Sequence, residues 1–139
     1  MSIAIPLQYK RPLQNSNKEN LIDFYNEATE DYEFWSHDFN MHFGYYTPLT
    51  TNLFKRDTML NEMNHQVFKR LHLKKQKSIL ADLGCGIGGT MNYGLAKYPN
   101  LHMIGITLSP FQVREGNRRL QHTNGLIIEE NYCQTSFKT

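Results

Sequence analysis

Cysteine is scarce in this chain: Cys85 and Cys133 are the only two in 139 residues. Two thiols cannot form a disulfide framework, which points to a reducing compartment and a core held by packing alone. Long apolar runs are missing too. No stretch approaches the ~18 apolar residues that cross a bilayer. The N-terminal MSIAIPLQYKRP holds only a short apolar stretch broken by Pro6, too short for the core of a signal peptide. A soluble cytoplasmic protein is therefore expected. An excess of one charge is also lacking. The net charge is +2, and the basic residues are scattered apart from KKQK at 74–77, which reads as a solvated turn. That argues against a nucleic-acid partner, since such proteins carry a basic face. The six histidines show no ligand spacing, so no metal is expected. No internal repeat or low-complexity tract is present.

The chain does contain periodic apolar patterns, and these change character along its length. Residues 1–19 are polar, carry Pro6 and Pro12, and read as a flexible arm. From Asn20, a plausible N-cap, to about Trp35, the residues Leu21, Phe24, Tyr25, Ala28 and Tyr32 recur at helical intervals. Tyr25 and Tyr32 share a face and are expected to pack. The aromatic stretch HDFNMHFGYYTPLT contains Gly44 and Pro48, which argue against a continuous helix. A second helix is expected over 53–73, with a stripe of Leu53, Leu60, Met63, Val67, Phe68 and Leu71. Together 20–73 read as an N-terminal helical lid segment.

Beyond residue 74 the pattern alternates. SILADL (78–83) is short, apolar and ends at glycine, as a buried parallel strand does. GTMNYGLAKYP reads as a helix stopped by Pro99, with Thr90 in its first turn. LHMIGIT (101–107) is a second strand. Ser109 and Pro110 open another helix as N-cap and first helical residue, and Asn124-Gly125 is expected to end it. LIIEE (126–130) is a third strand. Strand–helix alternation predicts an α/β fold, a parallel sheet with crossover helices.

The stretch ADLGCGIGGT (81–90) joins the first strand to its helix. Glycines there permit unusual backbone angles and let a ligand approach the chain, while the helix start offers free N–H groups. Gly84, Gly86 and Gly89 satisfy the dinucleotide pattern G-x-G-x-x-G. That reading also requires an acid at the end of the second strand, to hold ribose hydroxyls. Thr107 stands there, and the nearest acid, Glu115, lies inside the next helix. A nicotinamide or flavin cofactor is disfavoured. Asp82, two residues before Gly84, suits a ligand ammonium instead and would repel a pyrophosphate.

DLGCGIGGT resembles the first motif of class I S-adenosylmethionine-dependent methyltransferases. GITLSPFQ (105–112) resembles the second-strand pattern of the subgroup that includes cyclopropane-fatty-acid synthases and tocopherol-type methyltransferases. MHFGYY (41–46) is similar to that subgroup's aromatic segment over the cofactor. The resemblance covers roughly 20–139. It implies a Rossmann-like class I methyltransferase fold, S-adenosyl-L-methionine as cofactor, and a small-molecule or lipid-like acceptor. It places Gly84, Cys85 and Gly86 along the methionine part of the cofactor, and Thr107, Leu108 and Gln112 at its ribose and adenine. Phe43 and Gly44 match an aromatic-plus-small pair on the lid, where serine is usual in place of Gly44. Asn131 stands where the family often has an acid beside the adenine.

Plainer roles stand beside these. Asp82 can cap the glycine turn. Ser109-x-x-Gln112 is a capping box, which leaves Gln112 shared between cap and ligand. Cys85 reads as a packing residue, since no histidine is placed to activate it. His42, Tyr45 and Tyr46 read as packing or solvent-facing, although Phe43, Tyr45 and Tyr46 also suit a wall around a cationic methyl group. Three strands in the spatial order 3-2-1 leave the first one without a neighbour on its far side. The chain is therefore expected to be the N-terminal part of a longer methyltransferase, weakly active or inactive alone. The rest of such a chain, or a second copy, is the expected protein partner. A cofactor-binding fragment without catalysis is the alternative.

Overall fold

Residues 19–27, 36, 40–52, 54–73 and 76–137 are described in the computed structural model of the chain. The expected arm up to residue 18, and the helical pattern over 28–35 with Tyr32, lie outside them. Residues 19–27 are helical (α1). Six of the nine are exposed, and Phe24 and Tyr25 meet edge to face at 5.6 Å. Tyr25 packs on Phe24 in this way and remains 40% exposed.

The second helix, α2, runs Arg56–Arg70 and is shorter than the expected 53–73. Asp57 in its first turn and Lys69 and Arg70 in its last match the helix dipole. Its buried face is Leu60, Asn64 and Phe68, an i, i+4, i+8 line. This corrects the expected stripe, because Val67 and Leu71 are exposed and an asparagine takes the central buried position. The stripe failed because pattern reading ranks residues by polarity, whereas Asn64 is buried with its hydrogen bonds satisfied.

The α/β part follows as β1 (Ser78–Leu83), α3 (Gly89–Lys97), β2 (Leu101–Thr107), α4 (Pro110–Arg119) and β3 (Gly125–Glu129). The strands are parallel in the order β1-β2-β3, the 3-2-1 arrangement expected. Register pairs Leu80 with Met103 and Asp82 with Gly105, while Gly105 also meets Ile127. This set faces the helices, since a Cβ on Gly105 would lie 2.5 Å from Cys85 Sγ and Met91 Sδ. Phe68, Met91, Leu95, Leu101, Met103, Leu120 and Ile127 form the core there. Each such side chain contributes about 1.5–3 kcal/mol when fully buried. Phe68 joins α2 to α3, stacking on Tyr98 at 5.6 Å and lying over Gly94, where a Cβ would stand 2.2 Å from its Cζ.

The opposite face is bare. Ile79, Leu83 and Leu126 are 66, 55 and 51% exposed. β1 lies at the sheet edge as expected, but the expectation of a buried strand is corrected: among the described residues helices cover only one of its faces. The fourth helix also ends earlier than expected. It stops at Arg119 with Leu120 as C-cap, and Asn124-Gly125 leads into β3 instead. Asn117 on α4 ties that strand down. Its Nδ2 donates to the Ile127 carbonyl (2.7 Å) and its Oδ1 accepts the Ile127 N–H (2.8 Å).

Candidate functional site

Parallel strands expose their last residues at one end of the sheet, and in open α/β sheets that end forms the binding crevice. Here Leu83, Thr107 and Glu129 end the three strands. After Leu83 the chain turns through three glycines with positive φ: Gly84 (89°), Gly86 (56°) and Gly88 (86°). That region is open to glycine without strain. The amides of Gly84 and Cys85 both donate to the Ile106 carbonyl, at 2.9 and 3.1 Å, and Gly88 N–H donates to Cys85 O at 3.0 Å. The turn hangs on β2 and is closed by backbone alone.

Asp82 therefore does not cap the turn. Among the described residues no donor bonds its carboxylate, and burial raises its pKa above the ordinary 3.8. Burial also pushes the Cys85 thiol up to about 12, with the Asp82 charge adding to the rise. Cys85 is a protonated, half-buried thiol whose Sγ donates to Gly86 O at 3.3 Å. It packs against the core cluster, and its raised pKa disfavours the thiolate.

At the tip of β2, Thr107 Oγ1 donates to Gln112 Oε1 at 2.6 Å. Both residues are buried. Gln112 N–H donates to Ser109 Oγ at 3.1 Å, which is the N-cap bond of α4. The capping box is thus half made: its backbone arm is present, while the glutamine side chain reaches Thr107. Leu108 between them is half-buried. Ser109 Oγ also donates to Asn26 Oδ1 at 2.5 Å, seating α1 on the mouth of the corner. After β3, Asn131 Oδ1 accepts from Cys133 N–H at 2.9 Å and opens a short 3₁₀ turn, Tyr132–Gln134. Beside it Glu130 Oε1 accepts from Ser136 N–H at 2.7 Å, while its buried Oε2 has no partner among the described residues.

The aromatic segment reaches this corner through a residue the sequence did not single out. A Cβ on Gly86 would lie 2.7 Å from Met41 Sδ, so Met41 rests on the glycine turn. Phe43 is 91% exposed, and Tyr45 and Tyr46 are 42 and 48% exposed, so in this structure they build no closed wall. Gly44 backs onto α2, where a Cβ would stand 2.6 Å from Met59 Cβ, and Tyr45 N–H donates to Met59 O. His42 places Nε2 2.9 Å from Asn64 Oδ1 and Nδ1 3.0 Å from Phe43 O.

The structure thus gathers Asp82, Gly84, Cys85, Gly86, Thr107, Leu108 and Gln112 at the ends of β1 and β2, with Asn131 at the end of β3. Phe43 and Gly44 lie on the segment that carries Met41. Met41 lies in the MHFGYY segment but was not itself singled out, and neither were Asn26 and Glu130. A separate cleft of about 350 Å³ opens between α2 and α3, lined by Asn40, Asn61, Gly89, Asn92, Tyr93 and Lys97, and contains none of the expected site residues. Among the described residues no group of three His, Cys, Asp or Glu side chains is arranged for a metal, and no helix is long and apolar enough to cross a membrane.

Comparison with known proteins places this arrangement. The family model for mycolic acid cyclopropane synthetase matches residues 16–132. Ajmaline N-methyltransferase of Rauvolfia serpentina is 34% identical over 104 residues, covering 70% of this chain and 35% of its own. The 24-methylenesterol C-methyltransferase 2 of Arabidopsis thaliana is 31% identical over 140 residues, covering 93% of this chain and 36% of its own. The chain therefore spans about a third of the length of these relatives. Among solved structures, mycolic acid cyclopropane synthase CmaA1 complexed with SAH and CTAB superposes with a TM-score of 0.69 at 18% identity, over 86% of this chain and 42% of that one.

Proposed function

Because the chain belongs to the mycolic acid cyclopropane synthetase family, a branch of the class I S-adenosylmethionine-dependent methyltransferases, we propose that it forms the cofactor-binding half of an enzyme that alkylates a small-molecule or lipid-like acceptor. The observation that carries this reading is Asp82. It is a carboxylate without a partner among the described residues, beside a glycine turn already closed by backbone bonds. Such a group favours a cationic ligand and disfavours a pyrophosphate.

The residues present fit S-adenosyl-L-methionine. Gly86 has no side chain to obstruct an approaching ligand. Thr107 and Gln112, bonded to each other at the tip of β2, stand at the ribose and adenine end, and Asn131 brings an amide side chain beside the adenine. The cofactor supplies a methyl carbon activated by its sulfonium sulfur. Asp82 holds the ligand ammonium. The glycine turn and the start of α3 would orient the methionine part, and Met41, on the segment that carries Phe43 and Gly44, would cover it. In this reading 20–73 acts as the lid and 74–139 as the binding floor. An apolar acceptor suits the exposed aromatic rings of Phe43, Tyr45 and Tyr46.

Titration calorimetry of the chain with S-adenosylmethionine and with S-adenosylhomocysteine tests the proposal, with NADH as the contrasting ligand. Saturable binding of both adenosyl ligands and none of NADH is expected. NADH binding without adenosyl binding would sink it.

A further inference from the structure

The central buried position on α2 is polar. Asn64 is 1% exposed between Leu60 (4%) and Phe68 (2%). A helix that packs against a core gains from an apolar residue there, so the asparagine needs a reason. Its bonds supply one. Nδ2 donates to Asn40 Oδ1 at 2.9 Å, and Oδ1 lies 2.9 Å from His42 Nε2. Asn40, itself 5% exposed, donates its N–H to Ser36 Oγ at 3.1 Å. One side chain on α2 thus grips the residues immediately before and after Met41, the residue whose sulfur rests on Gly86.

We propose that Asn64 is a positioning residue: it sets Met41 over the glycine turn and so governs how firmly the lid segment closes on a ligand in the corner. The ligand-binding half of this statement rests on the function proposed above; the clamp itself does not. Both flanks of Met41 are fixed by directional bonds, the Asn40 bond buried and the His42 bond half-buried, and leaving a buried partner unsatisfied is unfavourable. Between them the thioether remains adaptable, which suits a surface that must open for ligand entry and settle again. A mere packing role has the opposite signature. Replacing a buried asparagine on an apolar stripe with leucine would then be neutral or stabilising.

The test uses Asn64→Leu, Met41→Ala, the double variant and Asn40→Ala, each read two ways. Hydrogen exchange with mass spectrometry follows peptides covering 36–46 and 84–88, with 101–107 as internal reference. Calorimetry follows S-adenosylhomocysteine. Asn64→Leu is expected to raise exchange in both test peptides while the reference is unchanged, and to weaken binding about tenfold. In the Met41→Ala background the same change is expected to have little further effect, because the two residues act in series. Unchanged exchange at 84–88 in Asn64→Leu overturns the proposal. So does an affinity loss of equal size with and without Met41, which would mean that Asn64 does not act through it. Should Asn64→Leu fail to fold, Asn40→Ala removes the clamp from the lid side, and protection retained at 84–88 in that variant is equally fatal. Should the unaltered chain bind no adenosyl ligand, the function proposed above falls, and the exchange arm still decides the clamp.

Discussion

Replacing Asp82 with asparagine should make the unliganded protein more stable and its ligand binding weaker at once. The carboxylate is half-buried with no donor facing it among the described residues, and burial raises its pKa. The sign follows from proton linkage. The folded state holds the Asp82 proton to higher pH than the unfolded chain does. Stability therefore falls as pH rises from the ordinary 3.8 through the folded pKa, and stays reduced above it. Asp82→Asn removes that loss, so its melting temperature should exceed that of the unaltered chain at pH 7, and the difference should vanish below pH 3.8. Binding moves the other way. A hydrogen bond to a charged group is worth about 1.5–3 kcal/mol, so removal of the charge should weaken adenosyl-ligand affinity about 10- to 150-fold. A second readout is internal. The Asp82 charge contributes to the rise of the Cys85 thiol to about 12, so that thiol should titrate lower in the variant, measured with Cys133 replaced by serine. Scanning calorimetry across pH and titration calorimetry supply the data. A variant that is less stable at pH 7, or that binds within about threefold of the parent, refutes the assignment of Asp82 as the ammonium partner.

Three further outcomes are expected. Gly94→Ala would drive a methyl group into Phe68, 2.2 Å from its Cζ, and should lower unfolding free energy by about 1–3 kcal/mol in urea titration. Asn117→Ala strips both bonds from the Ile127 backbone and should cost about 1–3 kcal/mol, with fast exchange at the Ile127 amide. Glu115 has its pKa lowered, first by hydrogen bonding to Arg118, then by the charges of Arg118 and Arg119. Its contribution is complete above the ordinary 4.5 and is lost as pH falls through the folded pKa, so Glu115→Gln should flatten the acid limb of the stability profile.

What the sequence revealed was whatever neighbouring residues decide. The bounds of β1 and β2 were legible because Gly84 and Pro99–Asn100 punctuate short apolar runs. The cap of α4 was legible because Ser109 and Pro110 act within one turn. Alternation pointed to a parallel sheet, and the order of its strands was what the resemblance to class I methyltransferases implied. What stayed hidden was polar and distant. Asn64 meets Asn40 across 24 positions, and Ser109 meets Asn26 across 83. Such pairs have no periodicity, and nothing in the local sequence of either member points to the other. Met41 was overlooked for a related reason: among aromatic neighbours it drew no notice, yet it is the side chain that reaches Gly86. The half-made capping box at Gln112 was undecidable from spacing, because the competing donor, the Thr107 hydroxyl at the tip of β2, is placed only once the strand and helix are folded together.

The Ile106 carbonyl accepts two successive amides, those of Gly84 and Cys85. The loop that follows the first strand is therefore moored to the second. Slippage between these strands would carry the loop with it, and a substitution beneath the sheet can alter the shape of the glycine turn without touching it.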